Sequence, residues 1–523
     1  NNNNWMEIVM MYFNILVFLA FGAVVSADYT PEALADKITS LPGAENIDIN
    51  FNQFSGYLKV GGTKNMHYWL VESMNDPASD PLAFWTNGGP GCSGLLGFFT
   101  EQGPFRPNKD LTLSMNPYSW NTISNMVFIE APCGVGFSYS DQGTDPKEAD
   151  DLHNDDAGTA KDNYEMIQAF LDRFPQFRAN DLYITSESYG GHYMPTLAKE
   201  IVDQNAAGEQ PNLNFKGFAV GNPATTFYSA IPAGLDTYWG HQLISQPLWD
   251  QYVESCKIPK KNFEQCEMIF LAMYRQVGNL NPYALDYPVC TEDSIKRVGR
   301  SQRTWLLNFI LDGLLESGAE ASTTFGTIRG VNTTELTAAE PTASAAAVQE
   351  IRNILKLEPV DGYEPCEEDY MTSYLEQQSV RAAIHVKTDL EWADCSRTLR
   401  YKQSDGKNDM TSYYNYLIDG GFGLNILVYS GDDDDVCATI GTQSWIWDLG
   451  YKIATDSKTG VRKTEEWVDY TVNGQTAGYI TKWQNTKLAF ATVHGAGHEV
   501  PTYKPDVALY LWQQYLAGEL TNM

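Results

Sequence analysis

The stretch DLYITSESYGGHYMPTLAKEIV, Asp181 to Val202, passes from an apolar, β-branched run through a glycine-rich turn into a helix-like segment. That succession is the unit from which parallel sheets are built, because the helix carries the chain back to the edge where the next strand begins. The rest of the chain repeats the theme. FSGYLKVGG and NMHYWLVES, between Phe54 and Ser73, alternate as a two-stranded ribbon does, and LAFWTNGGPG, Leu82 to Gly91, runs from a strand into a glycine-rich loop. NMVFIEAP (Asn125 to Pro132), LNILVYSG (Leu424 to Gly431) and TKLAFATVHG (Thr486 to Gly495) add further strands, and DVALYLWQQYLAG closes the chain as an amphipathic helix. A mostly parallel central sheet flanked by helices is therefore expected.

Between about Thr225 and Pro365 the pattern changes. Aromatic-rich helical segments such as AGLDTYWGHQLISQPLWDQYVESC, Ala233 to Cys256, give way to a Ser/Thr/Ala/Gly-rich stretch from Ser317 to Ala347 without strong period. The first reads as a helical cap insertion and the second as a mobile loop, a place where proteases cut. The expected organisation is a signal segment with leading extra residues over 1–27, a catalytic core over 28–224, the cap over 225–365, and the rest of the core over 366–523.

The chain has 523 residues, 43% of them hydrophobic, with 66 Asp+Glu against 35 Lys+Arg and a formal net charge of −31. It is globular, and so acidic a surface disfavours phosphate backbones and anionic membranes. The charge is chiefly a solubility device, and it also suits acidic surroundings, where many carboxylates take up protons. MEIVMMYFNILVFLAFGAVVSA, Met6 to Ala27, ends in small residues as a cleaved secretory signal does, which would leave no membrane attachment; the alternative is an uncleaved anchor, for which the run is barely long enough to span. Eight cysteines behind such a segment argue for disulfides, and none forms a CxxC pair of the zinc kind. No metal or other cofactor is expected. One glycosylation sequon begins at Asn332.

Ser188 stands in SESYGG between strand and helix, where a nucleophile elbow exposes its serine; Ser186 replaces the first glycine of the usual G-x-S-x-G. A hydroxyl nucleophile needs a base, and the base needs an orienting carboxylate. Both follow later strands: GDDDDVC holds Asp432 to Asp435, and GAGHEVP holds His498, with His494 as a rival base. The order Ser, Asp, His is that of the α/β-hydrolase fold. Chemistry alone leaves open which of the four aspartates orients the histidine.

NGGPGCSG, PCGVGFSYS, ESYGG, YSGD-x-D with a cysteine three residues on, and GAGHEVP occur in that order in one chain. The ordered set resembles the serine carboxypeptidase family over nearly everything from Tyr29 onward. The resemblance implies an acyl-enzyme exopeptidase with an acidic pH optimum, acting on peptides and proteins with a free C-terminal carboxylate, and it selects Asp434. It further implies an oxyanion hole from the backbone N–H groups of Gly89 and Tyr189, and a carboxylate-gripping cluster of Trp85, Asn87, Glu101 and Glu187. Glu499 would line the pocket for the departing residue, as in the subset accepting Lys and Arg. Implied disulfides pair Cys92 with Cys395, Cys256 with Cys266 and Cys290 with Cys366, leaving Cys437 unpaired beside the site and Cys133 without an assigned partner. Secretion, or delivery to a vacuolar or lysosomal lumen, and a homodimer also accord with the family. An acyltransferase on the same scaffold, a lipase or endopeptidase, and a non-catalytic binding protein are the rival readings.

Overall fold

The computed structural model describes residues 29–256, 263–278, 280–290, 363–452 and 467–520. The proposed signal segment, the Ser317–Ala347 stretch and Asn332 lie outside them. The main sheet has eleven strands. Its principal members are β1 (Gln53–Val60), β2 (Lys64–Val71), β3 (Leu82–Thr86), β4 (Asn125–Ile129), β5 (Leu182–Glu187), β6 (Phe215–Gly221), β7 (Asn425–Gly431), β8 (Val468–Val472), β9 (Gln475–Lys482) and β10 (Leu488–Val493). They lie in the order β1-β2-β4-β3-β5-β6-β7-β10-β9-β8. From β4 to β10 every neighbour is parallel, and an antiparallel pair extends each edge. The expected mostly parallel sheet is present.

Central strands are buried on both faces, so their side chains divide between two cores. Leu182, Ile184, Phe218, Val220, Ile426 and Val428 face a layer containing the helices Asp156–Arg173 and Gly190–Ala207. Trp85, Tyr183, Ala219, Leu427 and Tyr429 face the helix Leu95–Thr100 and the closing helix Pro505–Leu516, where Trp512 stacks on Trp120 at 4.5 Å. The serine elbow, the aspartate run and the histidine loop follow β5, β7 and β10. All three strands are parallel, so these loops emerge at one edge of the sheet.

The described insertion contains the helices Phe227–Gly240, Gln246–Ser255 and Phe263–Val277. Leu235, Tyr238, Ile244, Tyr252, Ile269, Met273 and Leu285 give it a small core of its own. Its far end behaves differently from the rest: Ala284 and Tyr287 join the main core, and the Tyr283 carbonyl accepts the backbone N–H of His498 at 2.6 Å. Cys92–Cys395, Cys256–Cys266 and Cys290–Cys366 are bonded, with Cα separations of 3.9, 5.5 and 4.9 Å. Cys133 and Cys437 are free thiols.

Candidate active site

Ser188 follows β5 with φ of 58°, a left-handed conformation that turns the chain abruptly and lifts the side chain off the strand line. The turn is held by Ser188 N–H donating to Gly221 O at 3.0 Å and by Ala224 N–H donating to Ser188 O at 2.8 Å. A Cβ on Gly190 would lie 2.2 Å from Ser186 Oγ, so glycine is required two residues after the serine. Ser186 fits where the usual motif has glycine because its hydroxyl donates to Thr86 O at 2.6 Å, leaving no buried donor unpaired.

Asp434 is fully buried and its carboxylate collects donors. Oδ1 accepts Val436 N–H at 2.8 Å; Oδ2 accepts Cys437 N–H at 3.0 Å, Asn222 Nδ2 at 2.8 Å and His498 Nδ1 at 2.8 Å. That bond leaves His498 Nε2 as the outward nitrogen, buried and without a protein hydrogen bond. Burial alone would lower the imidazole's pKa, but the facing Asp434 charge and hydrogen bond outweigh it and push it up to about 9. The Cys437 thiol bonds to the Ser188 hydroxyl and is held far above the usual thiol range, chiefly by burial and then by the Asp434 charge.

The three other aspartates of the run do different work. Asp432 takes His494 at 2.8 Å at an exposed rim, Asp433 faces His241 at 3.3 Å, and Asp435 is buried beneath the insertion. His494, the rival base, is turned away from Asp434.

The glycine-rich loop after β3 runs directly beside the elbow. A Cβ on Gly88 would come within 2.5 Å of Tyr189 N and 2.7 Å of Ser188 Cβ, a closeness only glycine permits. Neither Gly89 N–H nor Tyr189 N–H donates to another described group, so two backbone donors are free next to the hydroxyl. Cys92–Cys395 pins this loop, aided by Ser93 N–H to Asp394 O at 2.7 Å and Ser396 N–H to Gly91 O at 2.8 Å.

Opposite Asp434 lies a second buried cluster. Trp85 Nε1 and Gly97 N–H donate to Asn87 Oδ1 at 2.7 and 3.1 Å, which fixes the amide's orientation. Asn87 Nδ2 then donates to Glu101 Oε1 and to Glu187 Oε1, each at 2.9 Å. Glu101 Oε2 has no partner. Burial, then the charge of Glu499, pushes the Glu101 carboxyl up to about 7; burial and the charge of Glu101 hold Glu187 well above the usual range. Glu101 and Glu187 are hydrogen-bonded to one another, which requires a shared proton. Glu499 is also raised, first by burial.

Five neighbours were not singled out from sequence. Asn222, at φ of 36° after β6, buttresses Asp434 and locks onto Gly431 N–H at 2.9 Å; an asparagine at a strand end is the one local signal. Tyr283 packs edge-on against His498 at 5.1 Å. Arg106 donates to Phe99 O and to the carbonyl of Glu101, and pairs with Glu367 at 3.2 Å. Glu368 is pushed up to about 8 by burial and then by the charge of Glu499. Nothing local marks Arg106, Glu367 or Glu368, since their roles depend on the packing of the helix Glu367–Leu375.

A parallel sheet with a serine elbow, an aspartate loop and a histidine loop at one edge defines an α/β-hydrolase. The profile of the serine carboxypeptidase family matches residues 42–518. Serine carboxypeptidase-like 25 of Arabidopsis thaliana is 33% identical over 514 residues, covering 97% of this chain and 96% of the relative. Serine carboxypeptidase 24 of the same plant is 32% identical, covering 97% of each. Among solved structures, Kex1Δp, a prohormone-processing carboxypeptidase from Saccharomyces cerevisiae, shares the fold with a TM-score of 0.66 at 19% identity, covering 93% of this chain and 96% of that one. The chain belongs to the serine carboxypeptidase family, and it is a serine-type exopeptidase of that kind. Among the described residues no helix is long and apolar enough to cross a membrane.

Proposed function

We propose that Ser188, His498 and Asp434 carry the peptide cleavage and that Asn87, Glu101 and Glu187 confine it to the last peptide bond of a chain. Ser188 Oγ attacks the carbonyl carbon while His498 Nε2 takes the hydroxyl proton, and Asp434 stabilises the imidazolium so formed. The free N–H groups of Gly89 and Tyr189 suit the oxyanion of the tetrahedral intermediate. Its collapse passes the proton to the departing amine. Water then attacks the acyl-enzyme by the same route in reverse, releasing the shortened peptide and restoring Ser188.

The observation that carries the exopeptidase assignment is the Asn87–Glu101–Glu187 cluster: two carboxyls and an oriented amide, buried beside the nucleophile with a shared proton. Such a site favours a substrate carboxylate only while at least one glutamate is protonated, because three like charges cannot share so small a volume. Peptide binding should therefore weaken as pH rises through about 7, the value to which Glu101 is pushed up. Acidic pH therefore favours substrate binding, as in a secretory or vacuolar lumen, while His498, pushed up to about 9, must shed its proton to act as base, so the two demands fall on KM and kcat separately. The insertion over 225–365 acts as the cap, with Glu499 lining the pocket of the departing residue; Glu368, whose carboxyl feels the Glu499 charge, would favour Lys or Arg there once a bound cation draws the two carboxyls into ionised form.

The test is kcat and KM from pH 4 to 8 for a peptide acid beside its C-terminal amide. KM for the acid should rise at least tenfold across the upper half of that range while the amide's stays level. A flat acid KM would overturn the protonated-glutamate reading, and release of residues from the amide at equal rate would overturn the exopeptidase one.

A further inference from the structure

Where the insertion meets the aspartate run, His241, Asp286 and Asp433 each bring one donor atom within 4.8 Å of the other two. His241 caps the C-terminus of the helix Phe227–Gly240, where the carbonyl dipoles favour positive charge. Its Nδ1 lies 3.0 Å from Thr237 O, a group that can only accept, so Nδ1 holds the proton and the neutral ring presents a bare Nε2 lone pair. That lone pair faces Asp433 Oδ1 at 3.3 Å. Such a pair is closed either by a second proton on the ring or by a metal ion held between the two atoms.

Asp433 is only 2% exposed; its Oδ1 meets the His241 ring and closes no other hydrogen bond among the described residues, while Oδ2 accepts Asp286 N–H at 2.9 Å. We propose that His241, Asp433 and Asp286 bind one divalent cation of the zinc type, clamping the helical insertion to the loop that carries Asp434. The 3.3 Å separation is the edge of a tetrahedron around an ion held at about 2.0–2.1 Å, the ordinary zinc–nitrogen and zinc–oxygen distance. The Nδ1–H···O=C bond is the usual second contact that orients a metal-binding histidine. Asp286, exposed at the rim, supplies a third ligand and leaves a fourth position open to water. Asp435 is buried on the same loop behind the site, and burial pushes its carboxyl up to about 7.

Without the ion, a second proton on His241 takes its place. Both the proton and the metal would occupy the same Nε2 opposite Asp433 Oδ1. Metal and proton therefore compete, and the metal must lose affinity as pH falls. The ligands are His and Asp, which is why cysteine spacing gave no hint of them.

The experiment is calorimetric titration of Zn²⁺ into the full chain after chelator treatment and dialysis, at pH 7.5 and 5.0, with thermal unfolding followed alongside. One ion per chain should bind at pH 7.5 and raise Tm, and affinity should fall at least tenfold at pH 5.0. Asp286→Asn, an exposed change that spares the core, and His241→Gln should each abolish stoichiometric binding. His494→Gln, which breaks the exposed pair with Asp432, should leave it intact. Absence of binding to the wild-type chain, or equal binding by both His241→Gln and Asp286→Asn, overturns the proposal, as does loss in His494→Gln alone.

Discussion

Two buried carboxyl clusters flank Ser188, and burial is nearly the same in both: Asp434 and Glu101 are 0% exposed and Glu187 5%. They differ in what they are given. Asp434 accepts four N–H donors, one from an imidazole that can become cationic. Glu101 and Glu187 divide one amide between them, keep a proton, and leave an oxygen unpartnered. In the proposed mechanism the first cluster faces the imidazole that takes the proton, whereas the second keeps a carboxyl neutral so that a charged substrate can enter. Donor count rather than depth separates the two.

Removing the charge from the first cluster should have the largest effect. Asp434→Asn should lower kcat on the order of 10⁴-fold, because the amide favours the wrong imidazole tautomer, while KM changes little. Steady-state kinetics on a peptide acid checks both halves. If KM moved as much as kcat, the division of labour between the clusters would fail.

In the second cluster, Glu101→Gln replaces a titrating carboxyl with a neutral group of the same shape. The variant should lose most of the rise in KM between pH 5 and 8, a change of roughly tenfold at pH 8, with kcat near wild type. A KM profile parallel to that of the wild type would contradict the assigned role.

Stability should carry the same signature. Glu101 has its ordinary value of 4.5 in the unfolded chain and is pushed up to about 7 in the folded one, so the folded state binds the proton more tightly. The resulting stabilisation is complete below about pH 4.5 and is lost as pH rises through about 7, amounting to roughly 3 kcal/mol. Glu367, pushed up to about 7, and Glu368, pushed up to about 8, act in the same direction. Tm should fall by several degrees from pH 5 to 8, and Glu101→Gln should flatten the decline. Calorimetric scans at constant ionic strength would reveal a Tm rising with pH, the opposite sign, if these groups were ionised throughout.

The smallest effect is one of preference. Glu499→Met should shift the ratio of kcat/KM for C-terminal Arg over Leu by about tenfold toward Leu, since a carboxyl that a bound Arg would draw into its ionised form is replaced by an apolar group. An unchanged ratio would remove Glu499 from the pocket.

Much of this was legible in the sequence because it is written in local patterns. The apolar, β-branched run of β5, the glycines after Ser188 and the turn residues beyond β7 and β10 each announce themselves within ten residues. Other elements did not. The helix Asp156–Arg173 buries Asp156, Asp162 and Asn163 on its inner face, so its apolar period is blurred. The β8–β9 hairpin was passed over although Asn473 and Gly474, at φ of 51° and 76°, are a strong turn signal. Asn222, Arg106 and Glu368 acquire their roles only when distant segments pack together.

Two of the crosslinks, Cys92–Cys395 and Cys290–Cys366, each join a point before residue 291 to one after residue 362. Any single cut of the chain between those residues would therefore leave one covalent molecule. On a gel the nicked protein would migrate as a single species until a reductant parted it into a fragment bearing Ser188 and a fragment bearing Asp434 and His498, so that neither polypeptide alone would own the proposed catalytic apparatus.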